Sequence, residues 1–456
     1  MKKILSALLL LSVAMTGCKK EDLDLTVTIE LEPAVTVTVG QTRQLAAVVQ
    51  PQSIAMSATL AWDSADKSVA TVDRNGVVTA LTEGKTVVTA SLQNDAAVSA
   101  QCTVQVVKPG ENPDEVVTFE DIQFEAYLLL RYDANEDGKL QASEAAAIET
   151  LNIGMQGYTS LKGIEYFKNL KSLSCEYNNL KELDVTHCPL LETLICYDNG
   201  LRALDVTQNP KLQVLDCGWN SHIAELDVTH CPDLVKLKCG GNNLTELDVT
   251  QNPKLEILDA DYNRFDRLDV TQNPELRFLD VSYSSFFATT SGEKEPIGSI
   301  DLSRNTKLEQ FDCSQCSFEH LDLSNNPALT HLRCARNKLS SLDVSNNTKL
   351  KTLVVANNPI GALDVTMCPA IDTLWCEGNG LRALDLSKSQ KLIWLNCSRN
   401  EIEELDFSNT ELGYLLGEEN RIRRIDMGEK TFGTTTDYLY MKLNDNCLER
   451  LDLSRQ

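Results

Sequence analysis

Hydrophobic and polar positions repeat with one period along the last two thirds of the chain, from about residue 151 onward. The segment from Ser172 to Asn220 has the pattern L-x-x-L-x-C-x-x-N-x-L-x-x-L-D-V-T-x-N-P-x, and similar units follow about every 21 residues. One set of leucines is too small to form a core, so successive units must stack to bury them. The pattern predicts a solenoid of about thirteen coils over residues 151–456.

Two positions of each unit are expected inside the coil. The first carries a small apolar residue: Cys175, Cys196, Cys217, Cys239, Ala260, Val281, Cys313, Cys334, Val355, Cys376 and Cys397. The second, three residues later, carries asparagine: Asn178, Asn199, Asn220, Asn242, Asn263, Asn337, Asn358, Asn379 and Asn400. We expect the asparagines to form a ladder that binds turn backbone from coil to coil, and the cysteines to be buried thiols rather than disulfides or metal ligands.

The second half of each unit, such as Leu180 to Cys188, repeats the leucine spacing and predicts a second parallel strand stack with little helix. Its outward residue is almost always aspartate: Asp184, Asp205, Asp227, Asp248, Asp269, Asp301, Asp322, Asp343, Asp364, Asp385, Asp406, Asp426 and Asp452. We interpret this acidic stripe as structural, with the adjacent Thr or Ser as hydrogen-bond partner. The alternative is a row of weak cation sites.

These units resemble leucine-rich repeats of the internalin-like class over some 300 residues. The outward residue of the first strand varies from unit to unit, so this face is free to carry information. Aromatic residues lie on it or next to it: Tyr177, Tyr197, Trp219, Tyr262, Tyr283, Trp375, Trp394 and Tyr414. We expect them to bind a protein or glycan ligand, the alternative being aromatic stacking between coils. Two interruptions of the period, 286–298 and 428–440, are expected to be projecting loops.

Short β-branched runs separated by turn residues fill residues 26–107 and predict a β-sandwich of about seven strands. Asn75-Gly76 is a hairpin signal between two of these runs. The segment from Leu60 to Ala90 resembles the bacterial Ig-like group 2 domain, which implies a core role for Trp62 and either adhesion or a rigid stalk as the function. Cys102 has no partner within this domain, and a linker over residues 108–118 follows it.

The chain begins with two lysines and an apolar run from Ile4 to Met15, which has the layout of a secretory signal. The run ends at Met15-Thr16-Gly17-Cys18, which resembles the lipobox of bacterial lipoproteins. The resemblance implies that residues 1–18 are a signal peptide, that Cys18 carries a lipid anchor, and that the protein is an outer membrane lipoprotein exposed at the cell surface. The alternative is an ordinary signal cleaved near Gly17.

A twelve-residue acidic segment, Asp133 to Glu144, matches the loop of an EF-hand. Its expected calcium ligands are Asp133, Asn135, Asp137, Lys139 through its carbonyl, Gln141 and Glu144. Gly138 permits the sharp bend in the middle of the loop, and helices are expected on either side within residues 119–150. No second loop of this kind occurs in the sequence, so we interpret the calcium as structural rather than regulatory.

The formal net charge of −24 argues against nucleic acid as a partner. The sequence contains no hydrolase elbow, phosphate-binding loop or metalloprotease motif, and the repeated histidines lack a nearby nucleophile. We therefore predict a mainly β, non-enzymatic surface protein that acts as an adhesin or receptor-like binding protein. The alternative is a surface lipoprotein that captures glycans or peptides for uptake.

Overall fold

The computed structural model describes residues 27–51, 55, 58–109, 112, 114–284, 297–428 and 439–452. The chain divides between Asn112 and Pro113 into two compact units, each with its own hydrophobic core. The signal sequence with Cys18, and most of the two interruptions of the period, lie outside the described residues.

The first unit consists of short strands: β1 (Thr28–Glu30), β2 (Ala34–Thr38), β3 (Thr42–Gln44), β4 (Val48–Gln50), β5 (Leu60–Ser64), β6 (Ala70–Val72), β7 (Val77–Ala80), β8 (Gly84–Leu92) and β9 (Asp95–Val107). They form sheets in the orders β2-β9-β8-β5, β3-β7-β6 and β1-β4. The β2–β9 pair is parallel and the others are antiparallel. The alternation of valine with polar residues places one face of each long strand in the core, as the sequence predicted.

Trp62 is only half-buried, which corrects the expectation that it is a core residue. Its ring packs beside both small cores of the first unit and covers Gly76, where a Cβ atom would lie 2.6 Å from the indole. Gly76, at φ 83°, is therefore required both by the turn and by the ring. Cys102 is a buried free thiol, as predicted.

The second unit begins with helices α1 (Ile122–Tyr132) and α2 (Ala142–Ala146), followed by a 3₁₀ turn at Ile164–Tyr166. Asp121 caps α1 by accepting hydrogen bonds from the backbone N–H groups of Gln123 and Phe124. Phe124 and Leu128 of α1 are fully buried against the first coils, so this segment closes the open end of the core. Within the described ranges, no helix is long and apolar enough to cross a membrane.

A parallel sheet of three-residue strands runs the length of the second unit. Its members are β10 (Thr150–Asn152), β11 (Ser172–Ser174), β12 (Thr193–Ile195), β13 (Val214–Asp216), β14 (Lys236–Lys238), β15 (Ile257–Asp259), β16 (Phe278–Asp280), β17 (Gln310–Asp312), β18 (His331–Arg333), β19 (Thr352–Val354), β20 (Thr373–Trp375), β21 (Trp394–Asn396), β23 (Tyr414–Leu416) and β25 (Tyr440–Lys442). The central residue of nearly every strand is a buried Leu, and the residue on each side of it points outward. The predicted solenoid of parallel strands is confirmed.

The predicted asparagine ladder is also confirmed. Asn220 donates from Nδ2 to the carbonyl of Cys196 in the preceding coil at 3.2 Å and to that of Cys217 in its own coil at 2.9 Å, and its Oδ1 accepts from the N–H of Leu201 at 3.2 Å. A second ladder lies in the other half of the coil, where Asn252 donates to the carbonyls of Val228 and Cys231. Buried backbone carbonyls of adjacent coils are thereby satisfied by one amide.

The expectation of two complete strand stacks is wrong. The second stack is a sheet only near the end of the described chain, in β22 (Glu404–Asp406), β24 (Arg424–Asp426) and β26 (Arg450–Asp452). In earlier coils the aspartate side chain accepts hydrogen bonds from its own turn. Oδ1 of Asp184 accepts from the N–H of Thr186 at 2.9 Å and from the Thr186 hydroxyl at 2.6 Å. The N–H of Ser408 donates in the same way to Asp406 of β22, so this bond closes the turn whether or not a strand precedes it.

Two adjacent asparagines allow the ladder to be tested. Asn347 is buried and donates to the carbonyls of Leu323 and Asn326, whereas Asn346 is exposed. We expect Asn347→Ala to lower the free energy of unfolding by about 2–4 kcal/mol, because two buried carbonyls lose their donor. Asn347→Cys should cost less, since Cys368 holds the same position in the next coil and donates from Sγ to Val344. Urea denaturation measures both, and an equal loss in Asn346→Ala would contradict the prediction.

Candidate functional site

Each coil turns sharply two residues after its buried small residue, and the turn residue has a positive φ. Glycine fills this position only at Gly241 and Gly378 among the described coils. The others are Met155, Tyr177, Asp198, Trp219, Tyr262, Tyr283, Gln315, Arg336, Asn357, Arg399, Glu419 and Asp445. Four of the eight predicted aromatic ligand residues therefore lie in this row of turns and not in the strands. A left-handed conformation at such residues costs free energy, and it directs their side chains away from the core.

The rings of this row are in contact across coils. Tyr262 and Tyr283 stack with centroids 4.3 Å apart and planes 5° from parallel. The ring centroids of Trp219 and Tyr262 are 5.6 Å apart, although a whole coil lies between these two residues. The intervening coil has Gly241, and a Cβ atom there would lie 2.6 Å from the indole of Trp219. The absence of a side chain at Gly241 thus makes the row continuous.

A concave site of about 490 Å³ lies beside this row. Its lining residues are Tyr177, Tyr197, Asp198, Asp216, Gly218, Trp219, Lys238, Gly240, Asp259 and Asp261. Gly218 and Gly240 occupy the position at which Tyr197 and Asp261 carry side chains, so their lack of side chains creates the hollow. Tyr177 and Tyr197 meet edge to face at 5.0 Å and form one wall.

Aspartates from successive coils form the other side of the site. Oxygen atoms of Asp259, Asp261 and Asp280 lie within 4.8 Å of one another, and Asp312 continues the row on the next strand. Lys238 bridges to Asp259 at 3.2 Å. Asp261 reaches this group because Gly240 leaves room for its carboxylate. Within the described residues its side chain accepts no hydrogen bond and forms no ion pair.

Burial raises the pKa values of four carboxyl groups at this site, those of Asp216, Asp261, Asp280 and Asp312. Burial, followed by the neighbouring charge of Asp312, raises the pKa of Asp280 to about 7. Burial, with the charges of Asp259 and Asp312, raises the pKa of Asp261 to about 6. Burial also raises the pKa values of Asp216 and Asp312. The site therefore has acid groups that titrate near neutral pH.

The remaining predicted aromatics lie elsewhere on the same sheet. Trp394 and Tyr414 occupy the first position of their strands, and their rings are in contact at a tilt of 34° with centroids 4.6 Å apart. Tyr440, which was not among the residues predicted from the sequence, stacks on Tyr414 with centroids 4.6 Å apart. Trp375 is exposed at the third position of its strand. The eight residues thus form two separate groups, and aromatic stacking between coils, the alternative to ligand binding, accounts for part of each group.

The acidic stripe of the second half of the coils behaves in the opposite way. Asp364 accepts hydrogen bonds from the N–H and the hydroxyl of Thr366, and these bonds lower its pKa. Hydrogen bonds from Ser or Thr likewise lower the pKa of Asp227 and Asp322. Each of these carboxylates is stabilised by its own turn, as expected for a structural stripe.

The predicted calcium ligands lie together in one exposed loop between α1 and α2. Oδ2 of Asp133 accepts from the N–H of Gly138 at 2.8 Å, and Oδ1 of Asn135 accepts from that of Asp137 at 2.8 Å. Gln141 donates to Asp137, and Oε1 of Glu144 accepts from the N–H of Ala134. Hydrogen bonds from the backbone of the loop thus hold its side-chain oxygens close together. This set of oxygen donors fits calcium.

The loop is also anchored to the fold. Leu140 is fully buried, and its carbonyl accepts from the N–H of Val117 at 2.8 Å. The N–H of Ala142 in turn donates to the carbonyl of Glu115. These bonds pair the loop with the segment that enters the unit, where a second EF-hand loop would otherwise supply a strand. The loop is thereby fixed to the segment that precedes α1.

Comparison with solved structures gives the repeats a family. The functional domain of InlJ from Listeria monocytogenes, which includes a cysteine ladder, is 32% identical, with 70% of this chain and 67% of that chain aligned at a TM-score of 0.63. The repeat region is an internalin-like leucine-rich-repeat domain. An internalin, InlF, from the same organism shares the fold at 18% identity and a TM-score of 0.53, over 73% of this chain and 90% of that chain. The leucine-rich repeats of the present chain also contain a stack of buried thiols, which includes Cys175, Cys196, Cys217 and Cys239.

The first unit matches the bacterial Ig-like domain (group 2) over residues 26–104, which confirms that prediction. Two uncharacterized proteins of Clostridium acetobutylicum are 40% identical over 70 residues and 33% identical over 69 residues. Each match covers 15% of this chain, and the chain covers only 7% and 17% of these two proteins. These similarities indicate no enzyme family.

The raised pKa values predict a dependence of stability on pH. A carboxyl group whose pKa is higher in the folded state favours folding when protonated, and this contribution is lost as the pH rises through the folded pKa. We expect Asp280→Asn to raise the melting temperature by on the order of 1–2 °C at pH 8, and by less at pH 5.5. Asn396 already occupies this strand position in another coil and accepts from the N–H of Ser398, as Asp280 does from that of Ser282.

Asp364→Asn is the matched control, because its pKa shift has the opposite sign. This variant should melt at a lower temperature than the parent at pH 8, and the difference should shrink below pH 4. Differential scanning calorimetry over this range measures both. A melting temperature of Asp280→Asn below that of the parent at pH 8 would refute the assignment of a strained acidic cluster.

Proposed function

We propose that the protein is a non-enzymatic binding protein of the cell surface, adhesin-like or receptor-like, whose ligand binds at the cavity bounded by Tyr177 and Trp219. The observation that supports this most strongly is the exposure of large rings on a rigid sheet: 44% of Tyr177 and 54% of Trp219 is accessible. Exposed aromatic groups of this kind beside a hollow are typical of recognition surfaces. The likeness to the functional domain of InlJ and the Ig-like domain support a cell-surface location.

The lipid anchor belongs to the same proposal. Acylation of Cys18 would hold the first unit at the outer membrane, with the Ig-like domain between the anchor and the leucine-rich repeats. The lipobox-like sequence before Cys18 supports this arrangement. Such an anchor fixes the protein to the membrane surface without a spanning segment.

We also propose that the loop from Asp133 to Glu144 holds a structural calcium ion. Asp133, Asn135, Asp137 and Glu144 would bind it through side-chain oxygens, together with the Lys139 carbonyl and Gln141. Bound calcium would neutralise the acidic loop and fix α1 against the first coil. The burial of Leu140 in the continuous core supports a role in stability.

Binding at the cavity is tested with Trp219→Ala. The protein from Lys19 to Gln456, which lacks the signal sequence and the Cys18 that would carry the lipid, is screened on arrays of glycans and of purified surface proteins. We expect a ligand whose affinity falls by about tenfold or more in this variant, equivalent to about 1.4 kcal/mol. The control is Trp394→Ala, which removes a ring of similar exposure from the other aromatic group. A ligand that depends on Trp394 and not on Trp219 would contradict the placement, and the absence of any protein or glycan ligand would contradict the function.

Calcium binding is tested by melting the protein in calcium and in chelator. An ion present at about a hundred times its dissociation constant stabilises the folded state by about 2.7 kcal/mol, so chelation should lower the melting temperature. Glu144→Gln should abolish that difference, because the loop loses its bidentate carboxylate. Glu136→Gln, in the same loop but at a position that supplies no expected ligand, should retain it. Identical melting of the parent with and without calcium would refute the proposal.

A further inference from the structure

The charge of the cavity identifies a class of ligand. We infer that the sheet face around the cavity docks a basic segment of a partner protein, whose lysine or arginine side chains lie between the aromatic rings and the aspartates. This inference rests on the proposed function, because it names the ligand chemistry of the same site.

Negative charge exceeds positive charge at this face. The titratable groups that line or flank it are Asp198, Asp216, Lys236, Lys238, Asp259, Asp261, Asp280, Asp312 and Arg333. Lys238 is already bound to Asp259, and Arg333 lies at the far end of the row beside Asp312. The remaining carboxylates repel one another, and the whole chain has a net charge of −24. A cationic ligand would relieve this repulsion, whereas an acidic one would increase it.

The shape of the site suits a long side chain with a charged end. Its volume of about 490 Å³ lies within the range of ligand sites, about 300–1,000 Å³. Lysine and arginine place an apolar stem against rings while the charged group reaches an acidic partner. Tyr177 and Trp219 supply exposed ring surface, and Asp216 and Asp261 lie in the same hollow. A cation beside these rings would gain a cation–π contribution as well.

The arrangement of the rings favours a cation over a neutral sugar. Sugars bind best on an open ring face, but Tyr262 and Tyr283 cover one another at 4.3 Å. One side of the Trp219 ring lies over Gly241. Open ring surface is therefore confined to Tyr177 and the free side of Trp219, whereas several half-buried aspartates lie beside them. The chemistry of the site is therefore dominated by charge.

Docking of a cation should depend on pH. The pKa values of Asp261 and Asp280 are raised to about 6 and about 7, so both groups are largely protonated at pH 5.5 and ionised at pH 8. A cationic segment binds the ionised form, and its binding displaces their protons. Affinity should consequently rise from pH 5.5 to pH 8. Exposed carboxylates with ordinary or lowered pKa values stay ionised over this interval and contribute little to the change.

The test uses a fluorescein-labelled octapeptide of alternating Arg and Gly, with the Glu and Gly octapeptide and a neutral hexasaccharide as comparison probes. Fluorescence anisotropy at about 0.15 M salt, where long-range attraction is screened, measures binding to the protein from Lys19 to Gln456. The site variant carries Asp259→Asn, Asp261→Asn and Asp280→Asn. The control variant carries Glu182→Gln, Glu225→Gln and Glu246→Gln, which remove the same charge from exposed positions away from the cavity.

We expect the Arg peptide to bind, to lose about tenfold or more in affinity in the site variant, and to change by less than about twofold in the control. Thermal melting checks that each variant is folded, and the single variant Asp280→Asn provides a second measurement if the triple variant does not fold. Equal losses in the site and control variants, or no binding of the Arg peptide by the parent, would overturn the inference. Binding of the Glu peptide or the hexasaccharide that is lost in Trp219→Ala but kept in the site variant would overturn it while leaving the proposed function intact.

Discussion

The hydrogen bonds of the buried asparagines determine the geometry of everything else in the repeats. Most amides of the first ladder satisfy carbonyl groups of two coils, as Asn220 does for Cys196 and Cys217. Those of the second ladder bind two carbonyls of the preceding coil, as Asn252 does. A buried carbonyl without a donor is costly, so the spacing and rotation of adjacent coils are fixed by these bonds. Outward residues then fall on a regular grid, with neighbouring strands about 4.8 Å apart. The surface can change from coil to coil because the fold is specified underneath it.

On such a grid, a glycine changes the shape of the surface as much as a large side chain does. Gly218 and Gly240 leave a hollow between coils that carry Tyr197 and Asp261 at the same position. Gly241 lets Trp219 reach across a coil to Tyr262. Three glycines in adjacent coils therefore shape both the floor of the cavity and the continuity of its aromatic wall. Because the solenoid is rigid, the missing side chains at these glycines leave a site of defined shape.

Sequence periodicity was sufficient to predict the solenoid, its buried leucines and the asparagine ladder, because each depends on a residue that recurs in nearly every unit. It failed where the determining property is the backbone. The row of positive φ angles contains residues as different as Met155, Asp198 and Arg336, so no residue type marks it. The second stack was overpredicted because the leucine spacing of this half also recurs in coils that form no strand there, such as the coil of Asp184. The convergence of Asp261 with Asp259 and Asp280 depends on Gly240, a relation between coils that one unit does not reveal.

The aspartates of the second half of the coils and those beside the cavity differ in whether their ionisation stabilises the fold. Asp227, Asp322 and Asp364 accept hydrogen bonds from their own turns, and these bonds lower their pKa values, so ionisation stabilises the folded coil. Asp280 has a pKa raised to about 7 by burial and by Asp312, so its ionisation has the opposite effect. The coil does not need an acid there, since Val354 and Asn396 occupy the same strand position elsewhere. Carboxylates that weaken the fold and can be replaced within it are explained by binding rather than by folding. A bound cation would offset the repulsion between them that remains in the folded protein alone.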